Sequence, residues 1–229
     1  MSATRLPDRS TQRASVFSVV AVYLADTNSN FVRHVALLRE DTDLTFAKAN
    51  VAVWHMGPPL AAGVKSISSA GEEPSCTVHA MASIELEADE VEGIQTWLYE
   101  VDQENRPSNA LRQYIVHPPM DWVRSENGTR LYRRFSCAGF VLECYRAIGI
   151  ELIDESGFDN LPEVDLQVLA NAYGNEIRRE NLRRRLGLSE NGPWKIVLAG
   201  YVLHSLNRSD EAVRRSPYKP KDIAESNFP

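Results

Sequence analysis

A chain of 229 residues with 43% hydrophobic and 24% charged residues can bury one large core or two small ones, which excludes a disordered or low-complexity protein. A net charge of −6 gives no electrostatic reason to expect nucleic acid or an anionic membrane as partner. Three cysteines, Cys76, Cys137 and Cys144, cannot all pair within the chain and none lies in a C-x-x-C; they suit a reducing compartment, and a cytoplasmic location is expected.

Residues 1–14 are polar, carry Pro7 and read as a loose leader. The run from Val16 to Ala25 follows three arginines and faintly resembles a secretory signal. Its β-branched and aromatic residues (Val16, Phe17, Val19, Val20, Val22 and Tyr23) fit a buried strand better. No apolar run reaches membrane-spanning length, so no stable membrane insertion is expected. Turn residues at 26–30 and 40–43 bound a second strand, Phe31–Glu40, and a third runs from Leu44 to Met56 before Gly57-Pro58-Pro59 breaks it. Residues 60–75 read as a loop, and 76–86 as a weak strand. Asp89–Asp102 carries a helical stripe of Val91, Ile94, Trp97, Leu98 and Val101. Residues 110–131 fit no single element.

Tyr132–Gly149 is a polar lead-in, then Cys137, then an apolar helix with Phe140, Val141, Cys144, Tyr145 and Ile148 on one face; Gly149 stops it. Val164–Leu186 predicts one long helix closed by Gly187, and Trp194–Leu206 another, introduced by Pro193. Residues 216–229 contain a short helical turn. Strands first and helices after indicate an α+β fold in one domain, an antiparallel sheet packed on the cysteine helix.

Cys137 at a helix start meets unpaired N–H groups and the positive dipole end, which favour a thiolate and make it a candidate nucleophile. Its base would be a histidine, held by a third group. His34 opens a strand; His117 sits beside two prolines, His204 lies in a helix, and His79 lies on the weak strand. A tight turn at 40–43 would set His34 opposite Ala49 or Asn50, and Asn50 is a polar residue in an otherwise apolar strand. Asn50 is therefore the expected orienter. His55 is the alternative third member or a substrate contact, beside Trp54 and Ser136. The arginines of 178–185 fit a solvated helix face, and the scattered tryptophans fit core or rim packing. No metal ligand set with convincing spacing and no cofactor motif is present.

The segment Phe135-Ser-Cys-Ala-Gly-Phe-Val141 resembles the D/S-C-S/A-G/E-F-V signature of the NlpC-like branch of papain-fold cysteine hydrolases. The histidine strand Arg33-His-Val-Ala-Leu-Leu38 precedes it, an order similar to the circularly permuted branch that includes the lecithin:retinol acyltransferase type. The ending Ser216–Ser226 is similar to the closing T-P-x-D-L segment of bacterial permuted members. The likeness covers about residues 15–56, 89–149 and 216–228, and so implies one permuted papain-like domain over 15–229 with a helical insertion at about 160–210. It implies a thiol-dependent hydrolase or acyltransferase acting through a Cys137 acyl-enzyme with His34 as base, on a peptide, peptidoglycan or lipid-ester substrate. Two departures stand out: Asn50 or His55 occupies the place where many members carry a second histidine, and Ser136 replaces the commoner aspartate. The alternative is a non-catalytic binding module using the 163–206 helices.

Overall fold

The structure, a computed structural model, describes residues 17–24, 31–32, 34–39, 52–54, 76–104, 107, 112–155, 160–188 and 192–227. Four strands, β1 (Phe17–Leu24), β2 (His34–Arg39), β3 (Ala52–Trp54) and β4 (Cys76–Ala82), form an antiparallel sheet in the order β3-β2-β1-β4. β1 and β2 pair from Phe17 opposite Arg39 to Val22 opposite His34. The β1–β4 ladder shifts register between Ala21 and Val22.

The β2–β3 connection is longer than the expected tight turn. Arg39 faces Ala52 and Leu37 faces Trp54, whereas a tight turn at 40–43 would have set Arg39 against Leu44 or Thr45. The register that made Asn50 the partner of His34 is therefore not formed; the end of β3 that approaches His34 is the Trp54 end. Asn50 and His55 themselves, and the leader 1–14, lie outside the described residues.

Helix α1 (Ala88–Asp102) begins with a reciprocal cap, in which the amide of Glu87 donates to Glu90 at 2.8 Å. It buries Ile94, Trp97, Leu98 and Val101, the stripe visible in the sequence. The unassigned stretch 110–131 contains β5 (Met120–Arg124), which pairs with β6 (Arg130–Phe135) around a turn containing Gly128 at φ 84°. Helix α2 (Cys137–Arg146) follows directly, and Gly149 at φ 79° ends it in the left-handed region that glycine tolerates.

Two expectations fail beyond this point. The long helix 164–186 is three pieces, α3 (Leu166–Tyr173), a 3₁₀ turn (Asn175–Arg178) and α4 (Glu180–Arg185), because Gly174 takes φ 79° and interrupts the hydrogen-bond ladder. The 194–206 helix begins only at residue 199, as α5 (Ala199–Leu206). Before it, β8 (Trp194–Lys195) pairs with β7 (Glu163–Val164). Pro193 and the β-branched pair Ile196 and Val197 favour that extended entry. α6 (Asp210–Arg215) and a 3₁₀ turn (Ile223–Ser226) complete the chain.

α2 packs across β2, α5 lies against α2 and reaches β1 and β2, and α1 packs on α2. Helix α5, expected in an added helical unit, thus belongs to the central packing. Trp97, Phe135 and Phe140 meet with ring centroids 5.3 to 5.9 Å apart, the last two at right angles. Burying one such ring contributes about 2 kcal/mol, so this cluster anchors α2 against α1 and β6. The C-terminal segment ties back on the same layer: the Val32 amide donates to Ser226 O at 3.1 Å, and Tyr218 N donates to Leu152 O at 2.9 Å. Among the described residues no helix is long and apolar enough to cross a membrane.

Candidate active site

The start of α2 is fixed by its neighbours. Ser136 has extended backbone (φ −77°, ψ 169°), and its Oγ accepts from the Gly139 amide at 2.8 Å. That is an N-cap, formed because a serine hydroxyl satisfies an otherwise orphaned helix donor. The Ser136 amide donates to Pro119 O at 2.9 Å. A Cβ on Gly139 would lie 1.9 Å from the same carbonyl oxygen, so only glycine allows the helix to sit this close to the 115–119 loop. Ser136 was expected at the substrate site; it is fully buried and its hydroxyl is committed to the cap.

Cys137 is the first residue of α2 and is 3% exposed. Its sulfur meets the backbone of Val35 on β2, the residue after His34, and the hydroxyl of Tyr114. Since β3 pairs with β2 only at 37–39, no β3 residue among those described covers the strand at 34–36, where the sulfur approaches. The helix start therefore abuts the His34 end of β2.

His34 is the first residue of β2, half-buried, opposite Val22 on β1. Val35 and Leu37 are fully buried and belong to the common core. Strand alternation sets the Cβ of His34 on the other side, with Ala36. Trp54 lies on β3 opposite Leu37.

The electrostatics reverse one expectation. A helix start favours thiolate, and the amides of Val35, Cys137 and Ala138 with the Tyr114 hydroxyl act in that direction. Burial outweighs them and pushes the Cys137 thiol above its ordinary value. The sulfur therefore rests as a thiol, and it could act as a nucleophile only if a base took its proton. Tyr114 is 1% exposed, and burial raises its hydroxyl well above the usual tyrosine range; Tyr173 is raised for the same reason. Both stay protonated at neutral pH and can donate.

Sequence reasoning missed these two tyrosines. Tyr114 lies in the unassigned stretch, joined to Phe135 by a parallel bridge, and Tyr173 falls within the single helix expected over 164–186. Their rings are 6.4 Å apart at 66°, with the hydroxyls in mutual contact near Cys137. The usable signal was chemical: a tyrosine on an apolar face brings a hydroxyl that needs a partner.

The other candidates lie elsewhere. His204 stacks on Tyr218 at 6.2 Å, and its Nε2 is 3.2 Å from Asn227 O. His117, on the loop that covers the α2 start, donates its amide to Leu186 O at 3.2 Å, and burial lowers its imidazole. Cys144 is fully buried and its thiol is pushed far up by burial. Trp122 is flanked by Arg130 and Arg133 at 5.1 and 5.3 Å, and Trp194 by Arg183 at 6.0 Å. Arg179 pairs with Glu176 and Arg184 with Glu180, all on exposed surface. Among the described residues no group of His, Cys, Asp or Glu side chains is arranged to hold a metal ion.

No protein-family model matches this chain, and neither a curated protein nor a solved structure does.

Proposed function

We propose that this chain is a thiol-dependent hydrolase or acyltransferase with a permuted papain-like arrangement, acting on an amide or ester of a peptide, peptidoglycan or lipid. One observation supports this above all: the Cys137 sulfur meets the backbone of Val35, so a helix-start cysteine and the histidine beginning β2 are brought to the same end of the sheet. His34 takes the thiol proton as the sulfur attacks the carbonyl carbon. The carbonyl electrons move to oxygen, and the Cys137 amide holds that oxyanion in this mechanism. Collapse expels the amine or alcohol, which leaves with the proton from the His34 imidazolium. Water or another acceptor then attacks the thioester, gives its proton to His34, and the thiol is restored. The third residue would come from the chain that continues β3 past Trp54, toward His34, with His55 as the candidate.

A non-catalytic binding module is favoured by two facts: Cys137 is 3% exposed, and the Cβ of His34 shares a side with Ala36 rather than with Val35. Exchange of the acyl group from a p-nitrophenyl ester onto the protein separates the alternatives. An enzyme releases nitrophenol in a burst that Cys137→Ala and His34→Ala both remove; a binding module shows no burst.

A further inference from the structure

Cys137 as a residue is 3% exposed, so its sulfur is closed to substrate at rest. Beneath the surface the thiol meets Tyr114, itself 1% exposed, and the next residue outward is Tyr173, packed against Tyr114 at 6.4 Å. Tyr173 is half-buried as a residue and packs against the core, with its hydroxyl inside near Cys137. It is the last residue of α3, and Gly174, at φ 79° and ψ 171°, breaks the chain immediately after it. An aromatic cover thus ends a short helix at a glycine, where the backbone can turn without a Cβ penalty.

We propose that Tyr173 is the gate of the Cys137 site and sets the size of the acyl group admitted. The acyl chain takes the space that the Tyr173 ring fills at rest. The carbonyl oxygen then takes the place of the Tyr114 hydroxyl at the Cys137 amide. This rests on Cys137 being the nucleophile, and the volume of one tyrosine ring favours short or narrow acyl groups over bulky ones.

The test is alkylation of the folded protein with iodoacetamide and with bulkier N-ethylmaleimide, mapped by mass spectrometry at Cys76, Cys137 and Cys144. Tyr173→Ala should speed maleimide labelling of Cys137 by about tenfold or more, and iodoacetamide labelling by less; Tyr173→Phe, which keeps the ring, should stay within about threefold of wild type. An unchanged Cys137 rate in Tyr173→Ala overturns the proposal. Cys144, fully buried on the same helix, reports unfolding. If it labels in parallel, Tyr173→Leu decides. Faster Cys137 labelling with Cys144 still protected supports the gate, and no gain at Cys137 overturns it. Catalysis is read apart from access: ester hydrolysis that survives Cys137→Ala removes the proposed nucleophile while leaving the labelling result intact.

Discussion

Replacing Gly139 by alanine tests the geometry on which the whole site depends. The new Cβ would stand 1.9 Å from Pro119 O and 2.5 Å from the carbonyl carbon, backbone atoms that no rotamer change can move. Either α2 or the 115–119 loop must retreat by on the order of 1 Å, in an interior packed as densely as a crystal. Overpacking of this kind costs roughly 1–3 kcal/mol. Weakening the Ser136 N–H to Pro119 O bond adds about 1 kcal/mol, and the better helix propensity of alanine returns about 0.5–1 kcal/mol. The expected net loss is about 2 kcal/mol, which for a chain of this size lowers Tm by about 4–8 °C. Urea unfolding and calorimetry measure both. Gly149→Ala is the matched control: its φ of 79° strains alanine, but nothing lies within 4 Å of the added atom, so only the backbone cost of about 1–2 kcal/mol is expected. A Gly139→Ala protein as stable as wild type would show that the cysteine helix does not sit against Pro119.

Further outcomes follow from the same structure. Tyr114→Phe removes a donor that favours the Cys137 thiolate, so the midpoint of the pH profile for Cys137 alkylation should move to higher pH; a midpoint that stays or falls contradicts the contact. Glu90 is held below the usual carboxylate range, first by its hydrogen bond from Arg214, with the Glu87 amide adding to it. A depressed carboxyl stabilises the fold above its unfolded pKa, and that contribution fades as pH falls through the folded value. Glu90→Gln should therefore cost about 0.5–1.5 kcal/mol at pH 7 and almost nothing once the carboxyl is protonated in the folded state. A loss that persists unchanged in acid would show that the charge is not its source.

Much of the site's frame was legible in the residues. The α2 stripe from Phe140 to Tyr145, the stop at Gly149 and the opening of β2 at His34 depend on local chemistry, and local chemistry is what a sequence displays. The α1 stripe was clear for the same reason. The β2–β3 register was not, because it depends on the length of a connection, and several turn residues in a row allow more than one closure. The single helix expected at 164–186 failed at Gly174, since helical spacing continues through Tyr173 and Ile177 while one positive φ ends the ladder between them. The Trp194 start failed because pairing with Val164 is a tertiary contact. The raised Cys137 thiol was hidden too. A helix start is visible in the sequence, but the depth at which it is buried is set by Tyr114 and Val35, far away in the chain.

The most direct measurement is acetylation of the intact protein by p-nitrophenyl acetate, with the modified residue located by mass spectrometry. Catalysis by Cys137 and His34 predicts a single acetyl group on Cys137, none on the Cys137→Ala protein, a rate lower by about 100-fold or more in His34→Ala, and a near wild-type rate in His117→Ala. Acetylation that persists in Cys137→Ala, or that is indifferent to His34→Ala, would contradict it.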